Sequence, residues 1–236
     1  MTTAPEGSPK SLLLIGASRG LGLAIAEQYL QRGWHVVGTV RSAERTKLHD
    51  LREHWQSQLE IEMVDINVPD EVVALRTRLQ GRRLDFVMVN AGVKNDDRET
   101  ITDVSTEEFV RVMVTNALSP MRVVEAFEDL VAPRGAIAIM SSGQGSVANN
   151  EAGGHEVYRA SKAALNTLMR SFAARHVGDP RTLLLLAPGW VRTDLGGPTA
   201  RLGIQDSIPN LVKVIEAQSG KSGLQYLDYL GRAVAW

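Results

Sequence analysis

The sequence has no cysteine among its 236 residues, which removes disulfides, thiolate catalysis and zinc–thiolate sites together. It also lacks any block of like charge: 26 basic and 27 acidic residues leave a net charge of −1. A nucleic-acid or anionic-membrane surface is therefore not expected. Long apolar runs are missing as well. Runs such as Leu183-Leu184-Leu185-Leu186-Ala187 fall far below the roughly 20 residues of a membrane span. The opening Met1-Thr2-Thr3-Ala4-Pro5-Glu6-Gly7 is polar and carries no secretory pattern. These absences lead to the expectation of a cytoplasmic protein with a small-molecule substrate and without metal, nucleic acid or membrane.

With 44% hydrophobic residues, the chain is long enough for one large core, and one domain is expected over 1–236 with a flexible start over 1–10. Short apolar runs at Ser11–Ile15, His35–Val40, 59–64, Leu84–Val89, 136–140 and Thr182–Ala187 read as buried strands. Amphipathic stretches near 20–32, 45–56, 70–80, 106–131 and 156–176 read as helices between them, followed by a helix near 206–219 and a short strand near 224–227. Near-continuous Leu/Val/Ile strands alternating with helices predict a parallel sheet covered on both faces. The fold class is thus α/β, a doubly wound Rossmann-type sheet whose ligand sits beyond the carboxyl ends of the strands.

The first strand runs into Gly16-Ala17-Ser18-Arg19-Gly20-Leu21-Gly22, and a helix begins inside this cluster. Gly16 permits a sharp turn, Gly20 a close approach to a pyrophosphate, and Gly22 tight packing of helix on strand. The spacing is G-x-x-x-G-x-G rather than G-x-G-x-x-G. Further on, Tyr158 and Lys162 stand at i,i+4, so on a helix they project from one face. An ammonium near a phenol favours the phenolate. Moving a tyrosine pKa from about 10 to about 7 needs about 4 kcal/mol, the scale of one charge at ~4 Å with an effective dielectric of ~20. Taken alone, such a pair on an exposed helix face usually does nothing chemical; its neighbours in the sequence give it weight.

With these motifs the chain resembles the short-chain dehydrogenase/reductase family in its compact form. Gly16, Gly20 and Gly22 match its cofactor-loop glycines, Asn90-Ala91-Gly92 its N-A-G element, and Asn116 its helix asparagine. Ser142, Tyr158 and Lys162 match its catalytic serine, tyrosine and lysine, and Pro188-Gly189-Trp190-Val191-Arg192-Thr193 its P-G-x-x-x-T segment. The elements follow in the family's order. The run Ala163-Ala164-Leu165-Asn166 and the ending through Leu227-Asp228-Tyr229 to Trp236 are similar to the C-factor and sniffer-type carbonyl reductases. Three departures stand out. Val89 replaces the first asparagine of N-N-A-G, the interval from Ser142 to Tyr158 exceeds the common one so that 143–157 must bulge, and Ser141 adjoins Ser142. Ser142 matches the second serine of the family's pair, but Ser141 remains an alternative.

The resemblance implies hydride transfer between a nicotinamide and a carbonyl or alcohol carbon. Tyr158 would be the general acid/base, and Ser142 would hydrogen-bond the substrate oxygen. Lys162 would lower the tyrosine pKa and bind ribose hydroxyls, while Asn116 would hold a water linking Lys162 to solvent, or simply satisfy local backbone. Ser18, Leu21, Asn90, Ala91, Gly92, Pro188, Gly189, Trp190, Val191 and Thr193 would line the cofactor, with Asp65 at the adenine amino group and Ile66 beside the ring. The second strand ends Gly38-Thr39-Val40-Arg41-Ser42 with no carboxylate to accept a 2′-hydroxyl. Arg41 and Arg19 can instead pair with a 2′-phosphate, so NADP(H) is expected over NAD(H); the alternative leaves both arginines as solvated surface residues.

Candidate substrate residues are Gly143, Gln144 and His155 from the loop before the tyrosine, with Val93, Lys94, Trp190 and Leu195. His155 could equally be a solvent-exposed loop residue, and Trp190 could pack on the nicotinamide. The stretch after Thr193 is too short for an extended lid, which predicts an open, permissive site. A protein that binds NADP(H) to regulate or signal without turnover is the alternative function; an epimerase or dehydratase would need a larger substrate domain. The helix near 156–176 carries Val157, Ala160, Ala164, Leu165, Leu168 and Phe172, a face expected to pack on the sheet. The family often pairs such helices between subunits, which would give a homodimer or homotetramer.

Overall fold

The computed structural model describes residues 9–236. Of the flexible start expected over 1–10, residues 1–8 lie outside the described residues. Lys10 is fixed: its backbone oxygen accepts from His35 N at 2.8 Å and its ammonium sits 5.5 Å from the Trp34 ring centroid.

Seven strands, β1 (Ser11–Ile15), β2 (His35–Val40), β3 (Leu59–Met63), β4 (Leu84–Val89), β5 (Val131–Met140), β6 (Thr182–Ala187) and β7 (Gly223–Asp228), form one sheet in the order β3-β2-β1-β4-β5-β6-β7. Every pairing is parallel. Successive side chains of a strand point to opposite faces, and the core divides accordingly. Leu13, Ile15, Val87, Val89, Ile137, Ile139, Leu183 and Leu185 pack on one side with α3 (Pro69–Arg78), α5 (Ser119–Phe127) and α6 (Glu156–Arg175). Leu12, Leu14, Phe86, Met88, Ala138, Met140, Leu184 and Leu186 pack on the other with α1 (Gly20–Leu30), α2 (Lys47–His54) and α7 (Ile204–Ala217). Both faces need apolar residues, so the strands read as unbroken hydrophobic runs rather than alternating ones. Strand order reverses between β1 and β4, and the crevice beyond their carboxyl ends is where such sheets bind ligands.

The expected single helix over 106–131 is divided. The helix α4 (Thr106–Met113) gives way to a π-helical turn at Val114–Leu118, then α5, a 3-10 turn at Glu128–Leu130, and β5. Pro120 has no N–H with which to close the ordinary α bond back to the Asn116 carbonyl, and the extra residue of the π turn absorbs the defect. The strand β5 also begins earlier than the expected 136. Its first part pairs Leu84 with Val131, then the register shifts before Phe86 meets Ala136. A side chain at Gly135 would come within 2.7 Å of the Asp85 carbonyl oxygen, so the irregularity depends on glycine there.

The expected core face of α6 also divides. Val157, Leu165 and Phe172 are buried, but Ala160 is exposed and Leu168 keeps 40% of its surface. Ala164 and Leu168 line an open apolar groove with Met113, Val114, Ala117, Leu118 and Thr167.

Leu185 is fully buried on β6, a strand paired on both sides. Its replacement by alanine is expected to destabilise the fold by about 2–5 kcal/mol, seen as a lower urea midpoint with an unchanged slope.

Candidate active site

The glycine cluster closes one wall of the crevice. Gly16 has φ 84°, and a side chain there would meet Ala91 N at 2.9 Å. A side chain at Gly22 would lie 2.0 Å from the Gly16 carbonyl oxygen and 2.7 Å from Asn90 Nδ2. The turn, the start of α1 and the end of β4 therefore touch backbone to backbone. Asn90 Nδ2 donates to the Gly16 carbonyl at 2.8 Å, and Gly16 N donates to Thr39 Oγ1 at 2.9 Å. Asn90 and Thr39 hold this loop together, while Val89, at the position of the missing asparagine, is core. Gly20 is required by its φ of 56°; a side chain there would make only ordinary contact with Thr193, 3.7 Å away. The glycine loop thus lies beside the segment Pro188–Thr193.

Ser18 and Leu21 are half-buried in the loop. Arg19 is exposed and pairs with Asp194 at 3.2 Å. Arg41 is exposed at the end of β2. Asp65 Oδ1 accepts from Asn67 N at 2.9 Å. The Ile66 side chain is packed with Val64 and Val72. Tested against a phosphorylated dinucleotide, these residues fit: side-chain-free backbone at a helix start for the pyrophosphate, and two exposed guanidinium groups with no carboxylate at the end of β2.

On the opposite wall, α6 carries Tyr158 and Lys162. The structure brings Ser142 to Tyr158: burial pushes the phenol up to about 12, the hydrogen bond with the Ser142 side chain acts against that rise, and the neighbouring Tyr226 adds to it. Tyr158 is half-buried, ringed by protein yet retaining some surface. Any lowering by Lys162 is outweighed by this burial. The ammonium lies 5.9 Å from the Tyr158 ring centroid and donates to the Met140 carbonyl at 2.9 Å. Lys162 is 3% exposed, and burial pulls its pKa down to about 8. At neutral pH the phenol thus holds its proton above a largely charged ammonium, the state of a proton donor.

The two serines separate. Ser141 is buried and donates to Asn166 Oδ1 at 2.6 Å. Ser142 Oγ accepts from Gln144 N at 3.1 Å, which leaves its own hydrogen for another acceptor. Asn116 is fully buried in the π turn; its Nδ2 donates to the Val93 carbonyl at 2.7 Å and to Ser161 Oγ at 2.9 Å, and its Oδ1 accepts from Val93 N at 2.8 Å. Both amide hydrogens are committed to fixing the Val93 backbone and Ser161. Gly92 completes this floor, since a side chain there would lie 3.3 Å from Asn116 Oδ1 and 3.5 Å from Lys162 Nζ.

The candidate substrate residues lie on three loops. Residues 147–154 are all exposed, so the long interval before Tyr158 does bulge outward. His155 caps α6 in the left-handed region (φ 55°) with Nδ1 3.2 Å from Asp97 Oδ1, and Lys94 also pairs with Asp97. Gly143 is exposed and Gln144 half-buried. Trp190 is 51% exposed and donates from Nε1 to the Gly196 carbonyl at 2.7 Å, so its indole braces its own segment; Leu195 beyond it is exposed. Pro188 accepts from Ser207 Oγ at 2.6 Å, Gly189 has φ 83°, and Val191 is buried.

Sequence reasoning missed Asn166 and Tyr226, which meet behind Ser142. The signal for Asn166 was the continuation of the Tyr158, Lys162 step by another four residues. Tyr226 had none, being distant in the chain.

A doubly wound sheet with a glycine-lined crevice facing a serine, tyrosine and lysine is the architecture of a dehydrogenase or reductase. Residues 16–212 match the family model described as enoyl-(acyl carrier protein) reductase. The structure resembles a short-chain dehydrogenase/reductase from Burkholderia multivorans with bound NADP, at 57% identity and a TM-score of 0.96, covering 97% of this chain and 100% of that one. It also resembles the carbonyl reductase Sniffer of D. melanogaster, at 30% identity and a TM-score of 0.86, covering 97% and 100%. Among curated relatives, C-signal of Myxococcus xanthus is 36% identical over 156 residues, 65% of this chain and 93% of that protein. The chain belongs to the short-chain dehydrogenase/reductase family. Among the described residues no helix is long and apolar enough to cross a membrane, and no cluster of His, Cys, Asp or Glu could hold a metal ion.

The buried lysine sets a pH signature. Its pKa is about 8 in the fold against an ordinary 10.5, so between those values the unfolded chain binds more protons and stability rises with pH. Below about 8 the cost of burying the charge is present in full, roughly 3 kcal/mol. Lys162→Met is expected to be more stable than wild type at pH 7, with the advantage shrinking from pH 8 upward. Urea unfolding of both proteins between pH 7 and 10 checks this; a difference that does not change with pH would contradict it.

Proposed function

We propose that this chain is an NADP(H)-dependent oxidoreductase acting on a carbonyl or alcohol substrate, with Tyr158 as the general acid/base. The observation that carries the reading is the meeting of Ser142, Tyr158 and Lys162 at the mouth of the crevice that the glycine loop closes. NADP(H), when bound, supplies or accepts the hydride. Gly16, Ser18, Gly20, Leu21 and Gly22 would hold its pyrophosphate, Arg19 and Arg41 its 2′-phosphate, Asn90, Ala91, Gly92 and Lys162 its ribose side, and Pro188, Gly189, Trp190, Val191 and Thr193 the nicotinamide end. The NADP bound by the Burkholderia multivorans relative supports that choice.

In the reducing direction Tyr158 gives its phenolic proton to the substrate oxygen as the carbon becomes an alcohol. Ser142 donates to the same oxygen, aided by the Gln144 amide that occupies its acceptor side. The Lys162 charge then stabilises the phenolate left behind until it is reprotonated. The carbonyl reductase activity in Sniffer's name supports a carbonyl substrate, reached through the open loops at 93–97, 143–155 and 190–195. The whole chain works as one oxidoreductase domain in the cytoplasm, and the apolar groove between α4 and α6 is where copies pair into a homodimer or homotetramer.

Tyr158→Phe is expected to lower kcat by about 10²–10⁴-fold while NADPH binding stays within a few-fold of wild type. NADPH oxidation with a panel of aldehydes and diketones measures the first and fluorescence titration the second. Near-wild-type turnover in the variant would remove Tyr158 from the chemistry, and tight NADPH binding with no turnover in the wild type would favour a regulatory protein.

NADPH is expected to bind more tightly than NADH. Arg41→Ala should weaken NADPH by about 1.5–3 kcal/mol, the worth of a charge-assisted contact, and leave NADH nearly unchanged. Equal losses for both cofactors would show that Arg41 does not read the 2′-phosphate.

A further inference from the structure

Behind Ser142 lies a second layer of side chains that the proposed chemistry leaves unused. Tyr226 of β7 is buried, and its hydroxyl donates to the Ser142 carbonyl. The same carbonyl accepts from Gly145 N at 2.8 Å, so both its lone-pair directions are taken. Asn166 of α6 accepts from Ser141 Oγ at 2.6 Å and donates to the Gly145 carbonyl at 3.2 Å. Residues on both sides of Ser142 are therefore held by side chains from other elements. There is no room for Gly145 to carry one of its own, since it would meet Asn166 Nδ2 at 2.9 Å.

The run after β7 folds back over this layer. Leu227 and Ala233 form an antiparallel bridge, and Val234 N donates to the Tyr226 carbonyl at 2.9 Å. The fold-back places the Trp236 ring 5.5 Å from the Tyr226 ring and 4.8 Å from the Arg170 guanidinium. The Trp236 backbone oxygen accepts from Ala148 N at 3.0 Å, which fastens the exposed part of the loop that follows Ser142. Tyr226 thus fixes one end of the 142–148 stretch and Trp236 the other, and the two rings pack on each other.

We propose that Tyr226, backed by Trp236, is a positioning residue for Ser142. Its hydroxyl pins the Ser142 peptide, and so aims Oγ at the position shared by the Tyr158 phenol and the substrate oxygen. Ser142 sits in extended backbone (φ −159°, ψ 147°) at the end of a strand, where the sheet ladder no longer restrains it. Without the Tyr226 bond only the Gly145 amide would hold the carbonyl, and the peptide could rock about that contact. Catalytic geometry is sensitive to such motion: a displacement of about 1 Å can cost about a hundredfold in rate. This role rests on the proposed carbonyl chemistry, but the holding contacts themselves do not.

The test uses the full chain with Tyr226→Phe, which removes one oxygen and keeps the ring, with Trp236→Ala as a second variant that leaves β7 untouched. Tyr226→Phe is expected to lower kcat about tenfold with the NADPH dissociation constant within about twofold. In a Ser142→Ala background the same substitution should have no further effect on kcat, because its influence passes through that hydroxyl. Wild-type kcat in Tyr226→Phe, or an undiminished tenfold loss in the Ser142→Ala background, would overturn the proposal. Hydrogen exchange gives a readout that needs no turnover. The Gly145 amide should exchange faster in Tyr226→Phe and the Ala148 amide faster in Trp236→Ala, and unchanged protection at both would overturn the proposal. If the wild type turned over no carbonyl compound while exchange responded as expected, the proposed reaction would fail and the holding contacts would stand.

Discussion

A buried ammonium group is the constraint around which the site is arranged. Lys162 lies almost wholly out of water with the Met140 carbonyl as its one hydrogen-bond acceptor among the described residues. Burying a charge with one acceptor is costly; the pKa drawn down to about 8 is the mark of that cost, and no carboxylate offsets it among the described residues. A carboxylate would have neutralised the field as well as the cost. Without one, the positive charge remains available to an anion formed beside it, and a phenolate at Tyr158 is such an anion. The space around the ammonium is bounded by Gly92 and Asn116. The absent side chain at Gly92 leaves room there, and the rigid amide of Asn116 fixes the neighbouring backbone.

The same constraint explains why the helix is where it is. Tyr158, Lys162, Asn166 and Arg170 step along α6 four residues at a time and so share one face. The first two would carry the proposed proton chemistry. Asn166 holds the strand end that bears the serines, and Arg170 receives the Trp236 ring. One helix therefore sets both the reacting groups and the parts that hold them. Its remaining apolar residues divide between the sheet and the open groove beside α4. That division is why an apolar face read from the sequence as wholly core is only half so.

What was legible in the sequence follows from how local each signal is. The strands could be read because both faces of the sheet are covered, which leaves unbroken apolar runs whose ends coincide closely with those of β1, β2, β4 and β6. Glycine positions could be read because loss of a side chain there is a local steric demand, met at Gly16 by its φ and at Gly22 by the Gly16 carbonyl. The π turn was hidden because its cause, Pro120 acting on Asn116, lies inside a pattern whose apolar period still looks helical. Ser141 and Ser142 could not be told apart by pattern. Only the contact with Asn166, far along the chain, turns one hydroxyl inward and leaves the other for the crevice. Lys162 was legible as a partner of Tyr158 but not as a buried group, since burial depends on what the whole sheet places over it.

The contrast between the two sides of the crevice bears on what can vary. The cofactor side is made of backbone touching backbone, where Gly22, Gly16 and Asn90 leave no free volume; almost any substitution there must move a strand or a helix. The loops proposed to face the substrate are tied by partly exposed polar contacts, the Lys94–Asp97 ion pair and the approach of His155 to Asp97, and such an ion pair is worth at most about 1 kcal/mol. Residues on those loops can change with little effect on the fold. Relatives with such different names as C-signal and the carbonyl reductase Sniffer are compatible with this division. In the proposed reaction the demands of proton and hydride chemistry would fall on the rigid wall and on α6, and specificity on segments that the core does not restrain.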